Sequence, residues 1–199
     1  MKSNPKSKMK FQLNGMTFEI PSTCLRTMDW YGNLLATPVI NIGRKEVPLI
    51  AKQYIKAKYP EMLVWAKSSV FANGNSVDVY VCHENGSQLD LNSKEWKDIN
   101  DFISIFKGGY YDGMYDIYEY GPNGTTDNGT IIDLGAKYIS VNNRAPFGTW
   151  PDVKRMITDM MDGKYVYGVV SLEKAIEYVR GYNVKENDIQ KALTSLGIN

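Results

Sequence analysis

Across 199 residues the sequence holds a single histidine, His83, and two cysteines, Cys24 and Cys82. One histidine excludes a histidine-pair metal site and any two-histidine proton relay. The cysteines lie far apart and match no zinc spacing, so they read as reduced, small apolar residues of a cytoplasmic protein. Cys82 and His83 make no catalytic dyad, because neighbouring residues of a strand face opposite sides, and no motif supports Cys24 with His83. No window supplies the roughly 18 apolar residues a membrane span needs. The glycines follow neither Gly-x-x-x-x-Gly-Lys nor Gly-x-Gly-x-x-Gly order, so phosphate-cradling loops have no signal. The carboxylates Asp112, Asp116, Glu119, Asp127 and Asp133 lack the spacing of a calcium loop. These scarcities predict a non-catalytic protein with no metal, no cofactor and no membrane contact. The basic N-terminus runs into Phe11 without the apolar core of a signal peptide, which predicts a cytoplasmic protein in which the Asn-x-Ser/Thr triplets at Asn85, Asn123 and Asn128 carry no sugar.

What is present is a strongly sorted charge. The net charge is +1, but residues 1–67 hold eleven Lys/Arg against four Asp/Glu, residues 68–134 three against eleven, and residues 135–199 nine against seven. Such sorting either makes surfaces of opposite potential for partners or lets the two parts attract each other in the folded chain.

Periodicity predicts an α+β fold: a small antiparallel sheet with helices packed on one face and a C-terminal helical hairpin. Alternation around Asn14-Gly15 predicts a hairpin over 11–20. Residues 37–42 read as an edge strand, and 47–59 as a helix with Pro48 in its first turn and Pro60 as its stop. Residues 62–69 and 76–83 read as a second hairpin with Val77, Val79 and Val81 on one face. Ser93 caps a helix carrying Trp96, Ile99, Ile103 and Phe106, stopped by Gly108-Gly109. A strand over 114–120, a turn-rich loop and a return over 131–141 follow. Thr149 with Pro151 and Asp152, Ser171, and a capping box of Asn183 with Glu186 each start a helix. The expected organisation is a flexible basic tail over 1–10, an α+β domain over 11–145 and a helical segment over 146–199.

The run Phe106-Lys-Gly-Gly-Tyr-Tyr-Asp-Gly-Met-Tyr-Asp-Ile-Tyr-Glu-Tyr120 is polar and aromatic at once. Exposed tyrosines make rigid contacts with another molecule at low entropic cost, whereas alternate tyrosines of a strand can instead fill a core. Taken with Leu49-Ile-Ala-Lys-Gln-Tyr-Ile-Lys-Ala-Lys-Tyr-Pro60 and Trp65-Ala-Lys-Ser-Ser-Val-Phe-Ala-Asn-Gly-Asn-Ser-Val-Asp-Val79, this run resembles the large polyvalent protein-associated domains, the twenty-ninth in that series, over about 47–120. The resemblance implies an accessory protein of a phage or another mobile element, in the cytoplasm of a bacterial host.

Two functional expectations follow. In the first, Tyr110, Tyr111, Asp112, Tyr115, Asp116, Tyr118, Glu119 and Asp127 form an acidic, tyrosine-rich surface. It imitates nucleic-acid phosphates and inhibits a host defence protein of CRISPR or restriction type, or that protein's nucleic-acid complex. In the second, Lys52, Lys56, Lys58 and Lys67 contact phosphates, and the C-terminal helices form a helix-turn-helix that binds nucleic acid. The latter motif is weakened by Val179 where a small residue is wanted, and a plain helical hairpin explains the same pattern. Nothing in the sequence separates a monomer from a homodimer.

Overall fold

The computed structural model describes residues 7–29, 31–72, 74–112, 117–121, 123–165 and 168–198. The fold is α+β, with eleven strands and five helices among these residues. The chain divides into two compact units, the first comprising 1–60, 66–79 and 91–141, the second 61–65, 80–90 and 142–199. The division thus falls inside the central hairpin, and the second unit takes in more than the C-terminal helices.

The first unit opens with β1 (Lys8–Leu13) and β2 (Met16–Pro21), paired antiparallel from Lys8↔Pro21 to Leu13↔Met16. β1 therefore starts inside the stretch expected as a tail. Asn14 and Gly15 take φ of 52° and 73°, the left-handed pair that a two-residue hairpin turn requires. Alternation buries Phe11, Leu13, Phe18 and Ile20 on one face.

β3 (Leu25–Met28) and β4 (Leu34–Ile42) pair antiparallel, and β10 (Ile131–Leu134) pairs parallel with β4, followed by β9 (Gly124–Thr125). β4 is thus internal and not the edge strand expected over 37–42. Pro38 is tolerated because pairing with β10 begins only at Val39 and the β3 register is irregular between Arg26 and Met28, so no ladder bond needs its missing N–H.

α1 (Val47–Lys58) carries Pro48 in its first turn and buries Val47, Ile50, Ala51, Tyr54 and Ile55. α2 (Lys94–Ser104) is capped by Ser93, whose hydroxyl accepts from the Trp96 N–H at 3.1 Å. Phe102 of α2 is the hinge of an aromatic core, stacking on Tyr54 (centroids 3.6 Å) and Phe18 (5.5 Å) and meeting Phe106 edge-on (5.5 Å). The helix ends at Ser104, ahead of the Gly108-Gly109 pair expected to stop it, so those glycines have a different reason to be there.

β5 (Met62–Phe71) and β6 (Gly74–His83) form the second hairpin, joined by β11 (Tyr138–Asn142) in the order β11-β6-β5. Val77, Val79 and Val81 are fully buried, as alternation requires. β7 (Gly109–Asp112) pairs antiparallel with β8 (Ile117–Tyr120). Of the strand expected over 114–120, residues 117–120 form β8, with a partner the sequence did not announce, and 114–116 lie outside the described residues.

In the second unit α3 (Trp150–Met161) is central, and α4 (Leu172–Gly181) and α5 (Glu186–Ser195) each pack chiefly on it and little on each other. Val153, Met156, Ile157, Met160, Ala175, Val179, Ile189, Ala192 and Leu193 form its core. The small residue that a helix-turn-helix favours is here Val179, fully buried in that core. Ser171 caps α4 by accepting from the Lys174 N–H. The capping box expected from Asn183 and Glu186 does not form: Lys185 is the N-cap, Asn183 turns the chain with a φ of 57°, and the Glu186 carboxylate pairs with Arg180 at 2.8 Å.

Candidate functional site

Four rings run in contact along one surface of the first unit. Phe71 of β5 meets Tyr138 of β11 at 5.8 Å between centroids, Tyr138 meets Tyr118 of β8 at 5.5 Å, and Tyr118 meets Tyr120 at 5.2 Å. The last two contacts are edge-to-face, the arrangement ring quadrupoles favour. The Lys137 ammonium lies 4.9 Å from the Tyr118 centroid and 5.8 Å from that of Tyr120. Tyr118, in the middle of the row, is half-buried and its hydroxyl donates to the Lys137 carbonyl at 2.8 Å. Burial, with Tyr138 and Tyr120 as neighbours, pushes its phenol above the usual value. Both ends of the row are wet: Tyr120 is 74% exposed and Phe71 47%, with Val70 beside it also exposed.

Glycines and one asparagine shape this row. A Cβ on Gly74 would stand 2.9 Å from the Lys137 side chain, 3.3 Å from the Tyr138 ring and 3.4 Å from the Phe71 ring, so these three converge only over a residue without a side chain. Next to it, the Asn75 amide donates to the Gly135 carbonyl at 3.1 Å and accepts from the Lys137 N–H at 3.0 Å, holding the entry to β11. Gly108 donates to the Ala136 carbonyl and accepts from the Gly121 N–H. A Cβ on Gly109 would lie 2.0 Å from the Glu119 carbonyl oxygen, and one on Gly108 2.6 Å from that of Leu134. The glycine pair therefore exists for close backbone approach, which brings β8 and its tyrosines onto the Tyr138 strand.

Of the residues expected to bind a partner, Tyr118 belongs to this row and Glu119 follows it in β8. Tyr110, Tyr111 and Asp112 pair with Glu119, Tyr118 and Ile117 through the β7–β8 ladder; their side chains, and Tyr115 and Asp116 altogether, lie outside the described residues. Asp127 is exposed, but both its carboxylate oxygens accept from the hairpin turn, from Asn14 N–H at 2.7 Å and Gly15 N–H at 2.8 Å. Sequence reading missed Phe71, Lys137 and Tyr138; the exposed aromatic at the tip of the second hairpin was the signal available.

Among the lysines expected to contact phosphates, Lys58 is taken into a second aromatic cluster. The Asp98 carboxylate of α2 accepts from the Tyr54 hydroxyl (2.6 Å), the Tyr59 hydroxyl (2.8 Å) and the Lys58 ammonium (2.6 Å). Burial pushes the Asp98 carboxyl up, and the hydrogen bonds from Lys58, Tyr54 and Tyr59 outweigh it, leaving it below the usual carboxylate range. The Tyr59 phenol is pushed up to about 12, by burial first and then by its bond to Asp98. Lys52 and Lys56 line an open groove of about 600 Å³ with Lys8, Glu19, Leu49 and Gln53. Lys8 pairs there with Glu19 at 2.5 Å, and the Gln53 amide bonds both backbone groups of Glu19. Lys67 stands exposed on β5 and does not line this groove.

In the second unit, His83 lines an open hollow with Glu61, Glu84, Ser87, Trp150 and Ser195, at the tight turn where Gly86 N–H donates to its carbonyl. Burial pushes the Cys82 thiol up to about 11, and that of Cys24, with Glu46 adding to it, likewise. Thiols so raised stay protonated at neutral pH. Among the described residues no three His, Cys, Asp or Glu side chains are grouped to hold a metal ion, and no helix is long and apolar enough to cross a membrane. Comparisons with protein-family models, with curated proteins and with solved structures gave no match.

Proposed function

We propose that the protein is a non-catalytic binder whose aromatic row, Phe71, Tyr138, Tyr118 and Tyr120, is its contact surface for another protein. The observation that carries this reading is a row of four touching rings fixed at its centre and exposed at both ends. Large rings immobilised before binding lose little entropy on contact, and buried aromatic anchors dominate interface energetics. The partner we propose is a host defence protein directed against nucleic acid, of CRISPR or restriction type, inhibited by an accessory protein of a mobile element. That choice rests on the sequence resemblance and on the carboxylates flanking the tyrosines in 106–120.

The test is protection in cells. Bacteria carrying an active CRISPR or restriction system are transformed with a targeted plasmid, with and without this protein. Restored transformation by the wild-type chain and its loss in Phe71→Ala/Tyr120→Ala support the proposal. Purification of the chain with nucleic acid and no defence protein would overturn it, and would favour a second reading in which the groove of Lys8, Lys52 and Lys56 binds phosphates.

A further inference from the structure

A cavity of about 290 Å³ opens beside α3 in the second unit. Its floor includes Met156 and Met160, one turn apart on α3, and its walls are the rings of Phe147, Tyr165, Tyr178 and Tyr182. Phe147 and Tyr182 meet edge-to-face at 6.0 Å and 89°. They are nonetheless 67% and 57% exposed. Two large rings braced against each other while remaining wet border an opening; core rings would be covered.

The lining restricts what can enter. Arg155 supplies a guanidinium, which only donates. It donates to Asp152 at 2.8 Å and to Asp159 at 3.1 Å, and Lys164 also occupies Asp159 at 2.9 Å. With two carboxylates around it, the guanidinium leaves no surplus positive charge for an anion. With their oxygens already accepting, the carboxylates leave little for a cation, and burying an unpaired charge is costly. An incoming group meets apolar ring walls, polarisable sulfur on the floor, the guanidinium of Arg155, which also bonds Tyr165, and the hydroxyl of Tyr182. The volume lies at the lower end of ligand pockets, enough for a fused bicyclic ring and little more.

We propose that this cavity binds a neutral, planar heteroaromatic ring of nucleobase size, stacked on the tyrosine and phenylalanine walls with its ring nitrogens or carbonyl accepting from the lining donors. Nothing in this depends on the aromatic row of the first unit, so either proposal can fail alone.

Adenosine is the probe, titrated into the full chain labelled at its methionine methyl groups. The expected result is a saturable upfield ring-current shift of the Met156 and Met160 methyls below about 10 mM, with Met9 and Met28 unmoved. Tyr182→Ala, which removes a mostly exposed ring, is expected to weaken binding about tenfold with an unchanged melting curve. Val170→Phe, at a residue that also lines the cavity, fills the space and is expected to abolish the shift. No shift at about 10 mM adenosine overturns the proposal. So does a shift by indole without one by adenosine, since indole lacks the acceptors, and so does wild-type affinity in a folded Tyr182→Ala chain.

Discussion

Two aromatic clusters in the first unit use the same residue types to opposite ends. Around Asp98, two tyrosine hydroxyls and one ammonium converge on a single carboxylate, and Tyr54 is left only 4% exposed, stacked flat on Phe102. Around Lys137, the Tyr118 hydroxyl goes to a backbone carbonyl, and the rings continue outward to Tyr120, 74% exposed. A carboxylate at the centre turns tyrosines inward and locks two helices together. A backbone acceptor fixes one ring and leaves Tyr120 beside it facing outward. Tyrosine content alone therefore says little about function; what each hydroxyl donates to decides it.

The contrast breaks most visibly at Phe102. Phe102→Ala removes the ring on which Tyr54, Phe18 and Phe106 converge, and should cost about 3–5 kcal/mol of stability by urea unfolding. Asp98→Ala comes next. It leaves two phenols and an ammonium without their acceptor, and because the site is partly solvated the expected loss is about 2–3 kcal/mol. Its pH dependence has a definite sign. A carboxyl held below its unfolded value contributes stability at pH above about 4, and that contribution disappears as pH falls through the folded value. Wild type should therefore lose stability between about pH 5 and pH 3 more steeply than Asp98→Asn, as read from denaturation midpoints. Gly109→Ala should act locally, displacing β8 and releasing Tyr118 from Lys137, with faster amide exchange confined to β7 and β8. The smallest effect on stability belongs to Tyr120→Ala, expected within about 0.5 kcal/mol of wild type because the ring is mostly exposed, while partner binding falls at least about tenfold.

Local signals were legible. Asn14-Gly15 dictates its turn because both residues take left-handed φ, and Ser93 and Ser171 announce their helices because a hydroxyl there meets an orphan N–H. What the sequence hid was long-range. The parallel pairing of β4 with β10 joins distant segments through backbone bonds that leave no side-chain pattern. Lys58 looked like a free phosphate contact because Asp98 lies on another helix. Gly108-Gly109 looked like a helix stop because crowding against Leu134 and Glu119 has no local trace. Asn183 resembled a cap because its residue type suits both a cap and a left-handed turn. The aromatic row was half legible: Tyr118 and Tyr120 share a face at strand spacing, but Phe71 and Tyr138 lie on strands of a different sheet and meet them only through tertiary ring contacts.

The most direct test compares Phe71→Ala/Tyr120→Ala with wild type for protection of a targeted plasmid in cells with an active defence system, at equal protein level and melting temperature. If the row is the contact surface, wild type protects and the folded double variant does not. Protection by the double variant equal to wild type would contradict it.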